Sequence, residues 1–352
     1  MRFVQYQDNV SLHQLPLARA MVEAVGEASF RYVYRNELNE GRRKMGWSDG
    51  DLPTWCINEA SARDWLEYAD VMLTGIRCVD LMRRRLVTGR RTYFMSERWF
   101  RPEIGWLRLL HPKFFITAVA IARLFEYPDF RYFPIGLFAR TDMLRLLRLF
   151  GLSNVEGKFV PWGYFVEPTS FVESGKKLCV NGNLKVLWVG RMIHCKRVDT
   201  IVRAVSLYDK FSARPNRKTL SLTIVGDGPE RRKVQKLAAK LGLAGPQICF
   251  LPFVKSDEVR KIMREHDVFV FASDAREGWG AVVSEALEED MIVLGTRQSG
   301  APPVLLPEDH LFDAGDYKIL ARKLADVADG KIQKSGIGDW TANKAAERLL
   351  RL

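Results

Sequence analysis

"VFVFASDAREGWGAVVSEALEEDMIVLGT", residues 268–296, reads as a buried strand, a glycine-broken loop, a helix and a second buried strand. The runs at 268–273 and 291–296 are almost wholly apolar and rich in Val and Ile, so both faces of each strand need cover. Between them, "AVVSEALEE" has helical spacing. The same alternation extends upstream, with apolar runs "KVLWVG" (185–190), "LTIVG" (222–226) and "ICFLPF" (248–253). They are separated by the amphipathic segments "DTIVRAVSLYDKF", "ERRKVQKLAAKLGL" and "SDEVRKIMREH". Continuous apolar strands divided by amphipathic helices predict a doubly wound parallel sheet covered on both faces, starting near Asn183.

The first half carries a second α/β unit. Its expected strands are "MRFVQYQ", "FRYVYRN", "DVMLTGI", "RRTYFMSE" and "FRYFPIGL", and its expected helices are "LPLARAMVEAV", "NEASARDWLEYA" and "RTDMLRLLRLFGL". Residues 161–180 hold Pro, Gly and Ser without periodicity, the composition of a connection. The expected organisation is an N-terminal domain at 1–165, a linker at 166–182, a C-terminal domain at 183–335 and a terminal helical segment at 336–352, a candidate to pack back on the first domain. Two such domains leave a cleft at the carboxyl ends of their strands, where open α/β sheets bind ligands.

Composition narrows the class. The 352 residues are 47% apolar, and no run of eighteen apolar residues offers a spanning helix. The N-terminus lacks an export pattern, so a cytoplasmic protein is expected. Cys56, Cys78, Cys179, Cys195 and Cys249 form no C-x-x-C pair and have no His at zinc spacing; buried thiols are expected, and no metal site. The formal charge is +12, and residues 77–123 concentrate it, with eleven Lys/Arg against three Asp/Glu. There Trp99, Phe100, Trp106, Leu109, Leu110, Phe114 and Phe115 alternate with basic residues. This suits peripheral contact with an anionic membrane; a solvated basic face over an ordinary core is the other reading. No zinc-finger, RNP or KH signature accompanies the charge, so nucleic acid is not expected as a partner.

Chemistry is expected in the loops after the strands. Gly190 ends one strand, and Arg191 and Lys196 follow it, two cations able to neutralise a diphosphate. A Gly-Arg turn followed by a Lys before a helix is also ordinary loop structure. His194 and Cys195, between the cations, are expected to shape the loop. Gly226 and Gly228 bracket the turn "GDG" after the next strand, and the backbone at Phe253 and Val254 can meet a planar base. In the opening stretch Gly278 and Gly280 keep the backbone bare, Glu277 can accept hydrogen bonds from hydroxyls, and Glu285 can accept a pair from vicinal hydroxyls. Glu is common enough that this spacing alone is weak.

As an ordered set, "VGRMIHCKRVDTIVRA", "TIVGDGPE", "FASDAREGWGAVVSEALEED", "GTRQSGAPPVLL" and "LFDAGDYKILARKL" resemble the retaining nucleotide-sugar glycosyltransferases of glycosyltransferase family 4. The resemblance implies the GT-B fold, two Rossmann-like domains facing a central cleft. It implies a nucleotide diphosphate sugar as donor, with Arg191 and Lys196 on the diphosphate and no metal or other cofactor. Glu277 would hold the transferred sugar, the backbone from Gly278 through Trp279 and Gly280 to Ala281 would lie beside it, and Glu285 would hold the ribose. Arg191, Lys196 and Glu277 are thus the implied catalytic set. The N-terminal half resembles polysaccharide-assembly members through "VSLHQLPLARAM", "MSERWF" and "KFVPWGYFVEP", and this suggests a saccharide or lipid-linked acceptor at the inner face of the membrane. Many members place a histidine after a strand of this domain, whereas here the equivalent strand end reads Ser96-Glu97-Arg98. His13, Glu97 and His111 are therefore candidates for acceptor contact or catalytic help. A GT-B nucleotide-sugar epimerase, and a non-catalytic sugar-nucleotide-binding or membrane adaptor protein, are the alternative readings.

Overall fold

The computed structural model describes residues 1–37, 52–100, 103–166, 182–211 and 219–352. The chain divides into two compact units, Met1–Glu167 with Asp339–Leu352, and Pro168–Gly338. The expected linker at 166–182 lies, apart from its two end residues, outside the described residues.

The first unit contains β1 (Phe3–Gln7), α1 (Leu15–Val25), β2 (Phe30–Tyr34), β3 (Cys56–Asn58), α2 (Arg63–Tyr68), β4 (Val71–Thr74), α3 (Val79–Val87), β5 (Arg91–Ser96), α4 (Pro112–Leu124), β6 (Phe130–Pro134) and α5 (Leu137–Leu149). Its six strands are all parallel, in the order β3-β2-β1-β4-β5-β6. Chain order reverses between β1 and β4, which makes their carboxyl ends the switch point of the sheet.

The second unit contains β7 (Asn183–Val189), α6 (Val198–Phe211), β8 (Thr219–Val225), α7 (Arg231–Lys240), β9 (Ile248–Leu251), α8 (Ser256–Arg264), β10 (Val268–Phe271), α9 (Val282–Glu288), β11 (Ile292–Thr296), α10 (Pro302–Leu305), β12 (Leu311–Phe312) and α11 (Tyr317–Ala328). These six strands are also parallel, in the order β12-β11-β10-β7-β8-β9, and the reversal falls between β7 and β10. Both α/β units thus have the doubly wound topology that the apolar runs imply. Val186, Trp188, Ile224, Val270 and Leu294 on the strands pack with Ile201 and Leu320 on the helices to form the second core.

The terminal helix α12 (Ala342–Arg351) belongs to the first unit and packs against α1. Thr341 caps it by accepting a hydrogen bond from Lys344 N, and Ala342, Ala345, Ala346 and Leu349 form its buried face. Arg348 donates to the Pro161 carbonyl at 3.1 Å, and Trp340 stacks on Phe165.

Two expectations change. Within the basic stretch, Trp99, Phe100 and Phe114 are core residues, not surface ones, and Arg85 is buried as well. The Arg85 guanidinium donates to the carbonyls of Leu66 (2.8 Å) and Ala69 (2.7 Å), which lets α3 carry a charge into the core. Burial, and then the nearby Arg90, lower its pKa to about 10. The described cysteines are not deeply buried either: Cys56, Cys78 and Cys195 are half-buried and Cys249 is exposed.

Candidate functional site

The loops after β7 and β10 flank the switch point of the second sheet, and most of the residues singled out for a donor lie on them. They are joined at three points. Asp274 N donates to the Cys195 carbonyl at 2.8 Å, the Arg276 guanidinium meets His194 Nδ1 at 2.7 Å, and Lys196 forms an ion pair with Glu277. The Lys196 ammonium also lies 5.6 Å from the centre of the Phe271 ring. Its side chain retains 20% of its exposure and that of Glu277 retains 16%, so the pair is largely screened from water. Arg191 is exposed, with no acidic partner among the described residues. A cation open to solvent and a second cation held by a carboxylate therefore share one loop.

The glycines have specific reasons. A Cβ on Gly226, whose φ is +127°, would lie 2.0 Å from the Gly190 carbonyl oxygen, and one on Gly228 would lie 2.4 Å from that of Met192. Their bare backbones let the loop after β8 close on the loop after β7, where Met192 N donates to the Asp227 carbonyl at 2.7 Å. Gly280, at φ +86°, presses against the Phe271 ring. Trp279 and Ala281 are buried beside it, and Gly278 is half-buried.

Sequence reasoning missed the support beneath this loop. A Cβ on Gly300 would lie 2.0 Å from the Gly278 carbonyl oxygen and 2.8 Å from Trp279 Cα, and Ala301 N donates to the Trp279 carbonyl at 2.8 Å. The loop after β11 thus sets the height of the backbone at 278–279. "SGAPP" was the available signal: a glycine before a proline-started helix marks a close turn. The Asp274–Arg276 ion pair, which bonds onward to His194, was also missed.

Glu285 lies on α9, half-buried, and its carboxylate accepts no hydrogen bond from the described residues. Burial raises its pKa; the neighbouring Glu289 raises it further, and Arg260 opposes both. Phe253 (exposed) and Val254 (half-buried) follow β9, two strands from β7 in the sheet.

In the first unit His13 stacks on Tyr164 with ring centres 5.6 Å apart, and the Tyr164 hydroxyl donates to Glu97 at 2.9 Å. Tyr164 therefore links two of the three candidate helpers. His111 is exposed at the start of α4 and joins neither. Among the described residues no group of three or more His, Cys, Asp or Glu gathers as a metal site, and no helix is long and apolar enough to cross a membrane.

Residues 173–338 match the family model described as glycosyl transferases group 1. A 2-deoxystreptamine N-acetyl-D-glucosaminyltransferase of Streptomyces fradiae is 30% identical over 154 residues, covering 42% of this chain and 34% of the relative. The lipopolysaccharide core biosynthesis glycosyltransferase LpsE of Rhizobium meliloti is 28% identical over 151 residues, covering 42% and 41%. The matches thus span between a third and two fifths of these curated relatives. Among solved structures, HepE of Anabaena in complex with UDP aligns over 100% of both chains with a TM-score of 0.65 at 14% identity. The lipopolysaccharide outer core galactosyltransferase WaaB aligns equally fully, at 0.66 and 14%. Those whole-chain likenesses establish the GT-B architecture, and the match to the glycosyl transferases group 1 model falls on the unit that bears the paired loops.

Proposed function

We propose that the protein is a retaining glycosyltransferase that moves a sugar from a nucleoside diphosphate sugar to a saccharide or lipid-linked acceptor in cell-surface polysaccharide assembly. The observation that carries this reading is the Lys196–Glu277 pair at the switch point of the second sheet, with exposed Arg191 on the same loop. As the glycosidic bond of a donor breaks, negative charge grows on the departing diphosphate, and two cations stabilise it without a metal. Glu277 accepts hydrogen bonds from hydroxyls of the transferred sugar, and Glu285 from the vicinal hydroxyls of the ribose. The relatives named for glycosyl transfer and for lipopolysaccharide assembly support the class, and the likeness to HepE in complex with UDP makes uridine diphosphate sugars the first donors to try. Calorimetric titration with a panel of UDP, GDP and ADP sugars, with and without EDTA, tests the reading. One nucleotide class should bind, EDTA should leave its affinity unchanged, and Lys196→Ala and Glu285→Ala should each weaken it at least tenfold; binding that survives both changes refutes the placement.

A membrane seat belongs to the same reading. Ile104, Trp106, Leu107, Leu110, Phe115 and Ile116 are all exposed, and Lys113 lies among them. Large apolar side chains with a basic neighbour suit insertion among anionic head groups at the cytoplasmic face of the inner membrane.

A further inference from the structure

The three links between the loops after β7 and β10 use consecutive residues of the first loop. His194, Cys195 and Lys196 meet Arg276, Asp274 and Glu277 of the second. The Lys196–Glu277 ion pair is the link that a donor displaces, because its diphosphate draws the ammonium and its hydroxyls draw the carboxylate. The other two links have no such competitor. They are left to keep the loops in register while the site is occupied.

Asp274 organises the second loop. Its carboxylate accepts from the Arg276 backbone N–H at 3.0 Å and from Arg276 Nε at 3.0 and 3.2 Å, and Arg276 Nη2 donates to it as well. Its carbonyl accepts from Glu277 N at 3.0 Å, and its own N–H donates to the Cys195 carbonyl at 2.8 Å. Burial alone would raise the Asp274 pKa, but the hydrogen bonds and charge of Arg276, helped by the charge of Arg197, outweigh it and hold the carboxyl below its usual range. An ion pair between near neighbours in a loop contributes little by itself. Here the same guanidinium reaches across to His194 Nδ1 at 2.7 Å. A guanidinium can only donate, so Nδ1 accepts and the ring proton sits on Nε2. Asp274 and Arg276 therefore fix the backbone that enters Glu277 and tie it to the residue two before Lys196.

We propose that Arg276 is a positioning residue: with Asp274 and His194 it latches the two loops, so that Glu277 stays at the transferred sugar after Lys196 has been drawn to the diphosphate. This assignment rests on the donor reading of the second unit. Arg276 acts through Glu277 and sets part of the preference for a nucleotide sugar over the bare nucleotide. A misplaced carboxylate loses sugar contacts and leaves the nucleotide contacts intact.

Calorimetric titrations of the full chain with UDP and with UDP-glucose, UDP-galactose and UDP-N-acetylglucosamine test the latch. Arg276→Gln and His194→Leu should each weaken binding of the UDP sugar by about fivefold and leave UDP within about twofold. His194→Asn should keep most of the affinity, because an Asn Oδ1 stands near the place of Nδ1 and accepts the same hydrogen bond. In a Glu277→Gln background, Arg276→Gln should add nothing, as residues acting as a unit require. Unchanged UDP-sugar affinity in Arg276→Gln, an equal loss for UDP and its sugars, or a full additional loss in the Glu277→Gln background overturns the proposal. Deuterium uptake by residues 274–277 in the ligand-free protein separates that failure from failure of the donor reading. Uptake should rise in Arg276→Gln and His194→Leu; if it does not, the latch is refuted whatever the protein binds. A rise in a protein whose wild type binds no UDP sugar retains the latch and counts against the UDP-donor reading.

Discussion

Lys196 and Glu277 meet across the two loops that flank the switch point of the second sheet, one following β7 and the other β10. The cation proposed for the diphosphate is thus partly neutralised by the carboxylate proposed for the sugar. Glu277→Gln releases the ammonium while removing a sugar contact. Binding of UDP alone should be unchanged or up to about tenfold tighter, and the preference for the matching UDP sugar over UDP should disappear, a difference of about 1.5–3 kcal/mol for a charged hydrogen bond. Parallel titrations with nucleotide and nucleotide sugar check both halves.

Glu285 leads to a prediction with opposite signs for stability and binding. Its pKa is raised by burial, so the folded state holds its proton to a higher pH than the unfolded chain does. Its contribution therefore favours the folded state at low pH and is lost as the pH rises through that raised pKa. Glu285→Gln should raise the melting temperature at neutral pH, flatten its dependence on pH from about 4 upward, and weaken nucleotide-sugar binding. Thermal melts across that range, with and without ligand, separate the two effects.

Gly300 supports the sugar loop without lying in it. An alanine there pushes against the Gly278 carbonyl and the Trp279 backbone, atoms that cannot swing aside as a flexible side chain would. Gly300→Ala should cost about 2–3 kcal/mol in stability and should also lower donor affinity. Gly226→Ala, which meets the Gly190 carbonyl at a φ that L side chains rarely adopt, should destabilise at least as much. Urea unfolding gives the stabilities, and a donor titration under native conditions gives the affinities.

The exposed apolar residues before and at the start of α4 predict a membrane phenotype. Leu107→Asp with Leu110→Asp should abolish cosedimentation with vesicles containing phosphatidylglycerol and leave the melting temperature almost unchanged, because both side chains are largely exposed, at 69% and 78%. Binding should also weaken with added salt, as screening of head-group attraction requires.

The second unit was legible because its strands are covered on both faces and read as continuous apolar runs. "KVLWVG" and "LTIVG" place β7 and β8 to within about three residues, and the loops between the runs locate the site. The first unit was read less completely. α3 and α4 went unread as helices because an arginine run interrupts the apolar spacing of one and the other is apolar nearly all round; α3 even buries an arginine. β3 and β12 are three and two residues long, too short for periodicity to register. At the site, Lys196 and Glu277 were individually visible, but their pairing depends on a parallel sheet that sets β10 beside β7, a contact no linear spacing reveals.

The packing of α12 on α1 bears on how the protein is made. The helix that covers α1 begins at Ala342, after the whole second unit has been synthesised. At roughly 5–20 residues per second, translation of the intervening chain leaves α1 without this cover for roughly 15–65 seconds. The unit that emerges first is therefore the last to be completed, and it passes through synthesis with an open helical flank available to chaperones.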